Sequence, residues 1–211
     1  MKTIYQTLCL CATIISTITT LTACSEDSDL EGVIWIDDAE YDGLPAYTEL
    51  GYNSFGAYVN NRTFSSGKHY DESKMQFRSD ENTLTFTLKS PEYYSYYSTF
   101  HTLSFTFPYK HITKYTELKS LNNKTIDLAD TSVVVSATIY TDENNYDNVT
   151  LNIEKGTLHF KHSQMLFVDE DMVEAIVSGT FEFDATASNS ASYEVRHGRF
   201  DMGADGDDIK F

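Results

Sequence analysis

The segment Thr83-Leu84-Thr85-Phe86-Thr87-Leu88 decides the fold class. Its apolar residues recur at every second position and threonine fills each gap. In an extended chain successive side chains point to opposite faces, so this alternation makes one apolar side and one polar side. A helix would scatter the same residues around its circumference. The threonines agree with this reading: β-branched side chains lose freedom in a helix and pack well on a pleated surface. The segment is a half-buried β-strand.

The same period extends in both directions. Leu103, Phe105 and Phe107 alternate with Ser104 and Thr106. Val133, Val135, Ala137 and Ile139 share one face, with Val134, Ser136, Thr138 and Tyr140 on the other. Val149, Leu151 and Ile153 follow, then Leu158 and Phe160. Ala175, Val177, Phe181 and Phe183 form a further apolar row, faced by Ser178, Thr180, Glu182 and Asp184. Beyond the N-terminal apolar stretch no window of about 12 residues carries a helical period. Gln164 to Val168 is the best candidate for a single helical turn. Short connections are expected at Asn60-Asn61, Asp80-Glu81-Asn82, Asn122-Asn123, Asp142 to Asn148 and Lys155-Gly156. The segments 180–185 and 193–197 are expected to form an antiparallel hairpin. Phe183 would lie opposite Val195, Ala185 opposite Tyr193 and Glu182 opposite Arg196. Residues 51–211 therefore read as one all-β domain. An antiparallel β-sandwich is expected, with a partly open β-barrel of calycin-like type as the alternative.

Charge narrows the partners. Against 32 acidic residues stand 15 basic ones, a net charge of −17 among 211 residues. Nucleic-acid binding needs a basic footprint, and electrostatic attachment to an anionic bilayer needs the same. Both are excluded as expectations.

The N-terminus reads as an address. Lys2 precedes an apolar stretch from about Ile4 to Ala23, the pattern of a secretory signal covering residues 1–23. The stretch ends in Leu21-Thr22-Ala23-Cys24, which resembles the bacterial lipobox. That resemblance implies cleavage before Cys24 and acylation of that cysteine, palmitate among the acyl chains. The other cysteines, Cys9 and Cys11, leave with the signal, so no disulfide is expected in the mature chain. Residues 24–50 read as an acidic tether, opening on Ser25-Glu26-Asp27-Ser28-Asp29, with a docking segment or short edge strand at Val33-Ile34-Trp35-Ile36. An acidic block directly after the lipidated cysteine resembles the surface-export signal of Bacteroidetes lipoproteins.

A second resemblance lies in the domain. Ser54-Phe55-Gly56-Ala57-Tyr58-Val59-Asn60-Asn61-Arg62-Thr63-Phe64 resembles the opening hairpin of small Bacteroidetes surface lipoproteins of unknown function. Gly156-Thr157-Leu158, Val177-Ser178-Gly179-Thr180-Phe181-Glu182-Phe183 and Gly198-Arg199-Phe200-Asp201 resemble their closing strands. Asn61 stands where that pattern has glycine. These are strand and turn positions, so the resemblance implies architecture and lineage and no catalytic residues.

Signals for chemistry are sparse. His159 and His162 are three apart, which on a regular strand places them on opposite faces. No His-Glu-x-x-His, Gly-x-Ser-x-Gly or phosphate loop occurs, and no mature cysteine is left to complete a zinc site. The tail Asp201 to Asp208 reads as a solvated turn. The most unusual composition is the aromatic cluster Tyr93, Tyr94, Tyr96 and Tyr97, with Tyr109 nearby; tyrosine couples a flat apolar face to a hydroxyl and suits recognition of sugars or proteins. These readings point to a non-enzymatic binding module without cofactor or metal. It would be lipid-anchored on the outer membrane, facing the exterior, with a glycan or protein as partner. A barrel-like carrier of a small apolar ligand is the rival, and a hydrolase is the third option.

Overall fold

In the computed structural model the described residues are 32–68, 74–91, 99–142, 145–168, 171–188, 190–204 and 209–210. The strands are β1 (Ser54–Val59), β2 (Arg62–Ser65), β3 (Lys74–Ser79), β4 (Thr83–Lys89), β5 (Phe100–Pro108), β6 (Lys124–Asp127), β7 (Val134–Asp142), β8 (Asn145–Val168), β9 (Asp171–Ala187), β10 (Ser192–Ala204) and β11 (Ile209–Lys210). They join one sheet in the order β11-β3-β4-β5-β7-β8-β9-β10-β1-β2, with β6 also pairing β8. Every pairing is antiparallel except the short β11–β3 contact.

The sheet curls strongly into a half-barrel. Rings on its inner face show how far it folds over. Phe86 of β4 meets Phe200 of β10 with centroids 4.7 Å apart, although four strands separate them in the sheet order. Phe64 of β2 likewise meets Phe100 of β5 at 6.1 Å. Two halves of one sheet thus face each other as the layers of a sandwich do, which reconciles the sandwich and barrel expectations. The alternating rows fill the space between. Leu84, Phe86 and Leu88 are wholly buried, as are Leu103, Phe105 and Phe107. The intervening threonines hydrogen-bond across the outer face, Thr85 with Thr106 and Thr87 with Ser104, each at 2.9 Å.

The local expectations meet mixed outcomes. Asn60 and Asn61 form the two-residue turn between β1 and β2 with φ of 49° and 65°. Phe183 pairs Val195 and Ala185 pairs Tyr193, in the expected register. Glu182 does not oppose Arg196, because a bulge after Val195 takes up Arg196 and His197 and pairing resumes at Gly198 with Phe181. Arg196 turns instead to Asp184 (2.5 Å) and Glu194 (2.9 Å). Lys155-Gly156 is not a connection: β8 runs straight through it. A Cβ on Gly156 would lie 2.3 Å from that of Phe183, so glycine serves close strand approach there. Gln164 to Val168 is strand, not a helical turn, because β9 is long enough to keep pairing with it. The one helical segment among the described residues is the 3-10 stretch Tyr115–Leu121, whose Leu118 and Leu121 fall on one face and are buried.

Both ends of the domain differ from expectation. The acidic stretch read as tether to residue 50 belongs to the compact unit from Gly32 onward. Leu44 is fully buried, Pro45 packs on Gly56, and Ile34 N–H donates to the Tyr52 carbonyl. Ile34 and Ile36 nevertheless stay exposed. The tail from Asp201 is not a solvated turn up to Ala204, since β10 continues to that residue and Asp201 is 1% exposed.

Candidate functional site

The outer face of β8, β9 and β10 is crossed by rows of polar side chains set by strand register. Thr125 of β6 pairs His159 of β8, His159 pairs Thr180 of β9, and Thr180 pairs Arg199 of β10. In the adjacent row Thr157 pairs Glu182. Two bulges break the alternation beside these rows. Lys161 is the extra residue between Phe160 and His162, and His197 belongs to the bulge after Val195 with φ of 55°. Bulges re-aim side chains that a regular strand would place elsewhere.

The N-terminal segment raises a wall beside these rows. Asp38 accepts the backbone N–H groups of Glu40 (2.8 Å) and Tyr41 (3.0 Å) and forms an ion pair with Arg199. Burial opposes the charged Asp38 carboxylate, but these donors and the guanidinium hold its pKa below the ordinary value. Arg199 also donates to the carbonyls of His197 (3.1 Å) and Pro45 (3.3 Å). With the turn fixed, the Tyr41 ring stacks on His197 at 4.0 Å and lies 4.9 Å from the Arg199 guanidinium. Further along, the Tyr47 hydroxyl donates to Glu49 (2.8 Å), and burial followed by that carboxylate pushes its pKa up. The Lys161 ammonium sits 4.8 Å from the Tyr47 ring centroid.

The result is an open trough of about 470 Å³, with Tyr41 and Tyr47 beside a floor that includes Thr125, Thr157, His159 and Thr180. It offers two aromatic rings, Tyr41 with His197 stacked on it and Tyr47 with Lys161 over it, together with several hydroxyls, two imidazoles and one exposed ammonium. That equipment suits a polar ligand presenting a flat face and hydroxyl groups.

Of the residues singled out from sequence, Tyr93, Tyr94, Tyr96, Tyr97 and Cys24 lie outside the described residues. Tyr109 is half-buried against the core; its hydroxyl meets Ser120 Oγ at 2.5 Å and Lys124 lies over its ring. His162 approaches Glu49 at 3.7 Å and His159 lines the trough. Among the described residues no three His, Cys, Asp or Glu side chains converge as a metal site. Sequence reasoning missed Tyr41, Tyr47, Lys161, His197 and Arg199. One signal was available: His159 with Lys161 and His197 with Arg199 are basic pairs two apart, in strands of an acidic chain.

No protein-family model, curated protein or solved structure matches the chain.

Proposed function

We propose that the protein is a lipid-anchored binding module of the bacterial outer membrane, related to small Bacteroidetes surface lipoproteins, that faces the exterior and holds a glycan in the outer-face trough. The observation that carries the binding reading is the pair of tyrosine rings beside a hydroxyl-rich strand surface. A sugar ring has the matching chemistry, with apolar C–H faces to lie on an aromatic ring and equatorial hydroxyls to meet threonine and imidazole. The carrier alternative fits less well, because the inside of the half-barrel is filled by Phe55, Phe77, Phe86, Phe105, Phe160 and Phe200. The anchor rests on Leu21-Thr22-Ala23-Cys24.

Binding is tested by probing a glycan array with the soluble domain and with Tyr41→Ala. Retention of one sugar class by the native domain, lost in the variant, is expected. Retention of no glycan, or equal retention by both proteins, overturns the reading. The anchor is tested separately, by metabolic labelling with an alkynyl palmitate analogue and protease shaving of intact cells. Native protein should be labelled and shaved, and Cys24→Ala should not be labelled; label persisting in the variant contradicts the anchor.

A further inference from the structure

We infer that the trough selects an acidic sugar unit, one bearing a carboxylate or a sulfate ester, over its neutral counterpart. This rests on the glycan-binding reading above and sharpens it. The first observation is a local thinning of negative charge, to near neutrality. Acidic residues outnumber lysine and arginine by 32 to 15 over the chain. The trough is lined by Lys161, Arg199, His159 and His197 against a single acid, Glu182. Arg199 is matched by Asp38 beneath the wall, which leaves Lys161 and the two imidazoles as the donors of the trough and Glu182 as its one acid, on the strand next to that of Lys161 and in register with Thr157.

The second observation is independent of composition. Lys161 and His197 both occupy bulges, and His197 adopts left-handed backbone geometry, which is uncommon outside glycine, asparagine, aspartate and histidine. Backbone held in such a conformation concentrates where side chains must be aimed. Here both bulges deliver a cationic or hydrogen-bond-donating group to the same trough, each beside a tyrosine ring: His197 at Tyr41 and Lys161 near Tyr47. A sugar would lie along the wall that carries the two rings, and the donors beside them would meet an anionic substituent.

The chain's net negative charge sets the size of the ligand. A long polyanion laid across the domain would be repelled outside the trough, so a short acidic oligosaccharide or an acidic chain end fits best.

Isothermal titration of the soluble domain with digalacturonate, the sulfated disaccharide of galactose and neutral digalactose tests this. Either acidic disaccharide should bind at least about tenfold more tightly than the neutral one, and which of the two does so names the acid group. Lys161→Gln should bring the acidic and neutral affinities within about twofold. His197→Asn, which the left-handed position accepts without strain, should reduce the preference while leaving the fold intact by circular dichroism. Equal binding of acidic and neutral sugars overturns this inference and leaves the glycan reading standing. Acidic preference unchanged in both variants also overturns it, because the selecting groups would lie elsewhere. Absence of binding by all three sugars, together with an empty glycan array, removes both readings.

Discussion

Asp201 is a carboxylate sealed from water at 1% exposure, and it survives there because five donors converge on it. These are the hydroxyls of Thr48 (2.5 Å) and Ser178 (3.2 Å) and the backbone N–H groups of Leu50, Gly51 and Tyr52. Removing the acceptor would strand three backbone N–H groups under the docked segment. Asp201→Ala should therefore cost about 3 kcal/mol or more in urea unfolding, and Asp201→Asn less, since one amide oxygen still accepts. Asp38 adds a pH term. Its folded pKa is depressed, so its contribution is complete above the ordinary carboxylate value and disappears as pH falls through the lowered one. Urea midpoints followed from about pH 5 to about pH 2.5 should fall in the native protein, and fall less steeply in Asp38→Asn. Equal slopes would contradict this account. Neither carboxylate was readable as an anchor from sequence, because Asp38 meets Arg199 from 161 positions away and Leu50 meets Asp201 from 151. Local pattern carries no information about such partners, and both acids looked like parts of solvated, acid-rich stretches.

At the scale of the element, three glycines let β8, β9 and β10 curl. Each pairs a phenylalanine across the sheet: Gly156 with Phe183, Gly179 with Phe200 and Gly198 with Phe181. A Cβ on Gly179 would stand 2.1 Å from the His159 carbonyl oxygen and 2.7 Å from the Phe200 ring. Backbone cannot yield as a flexible side chain can, so Gly179→Ala should destabilise by about 4 kcal/mol or more, or abolish folding, as read by thermal unfolding. Soluble native-like yield with an unchanged melting temperature would contradict the close-approach argument. The β1–β2 turn offers a milder case. Both central asparagines have positive φ, a geometry that costs most residues about 1–2 kcal/mol, so Asn61→Ala should be destabilising within that range. The strands themselves were legible because the evidence for them is local: apolar and polar residues alternate within a few positions. Lys155-Gly156 reads from sequence as a turn where the strand runs on, and Arg196-His197 reads as regular strand where a bulge sits. The difference depends on whether a neighbouring strand continues to pair, and that neighbour lies elsewhere in the chain.

For the molecule as a whole, the all-β class followed from residue period, but the single folded-over sheet did not. Facing rings such as Phe86 and Phe200 belong to strands far apart in the sheet order, and alternation says only that each points inward. The trough was hidden for a related reason. Its walls come from a segment that composition assigns to the tether and its floor from β6, β8, β9 and β10, so only folding brings Tyr41 to His197 and Tyr47 to Lys161. The most direct test of the central claim, that this trough is the binding surface, is amide chemical-shift mapping of the soluble domain titrated with the sugar class the array selects. The account predicts that the perturbed residues cluster at Tyr41, Thr125, His159, Lys161, Thr180 and Gly198. Perturbations confined to exposed apolar residues outside the trough, such as Val134 and Tyr146, with these six unmoved, would contradict it.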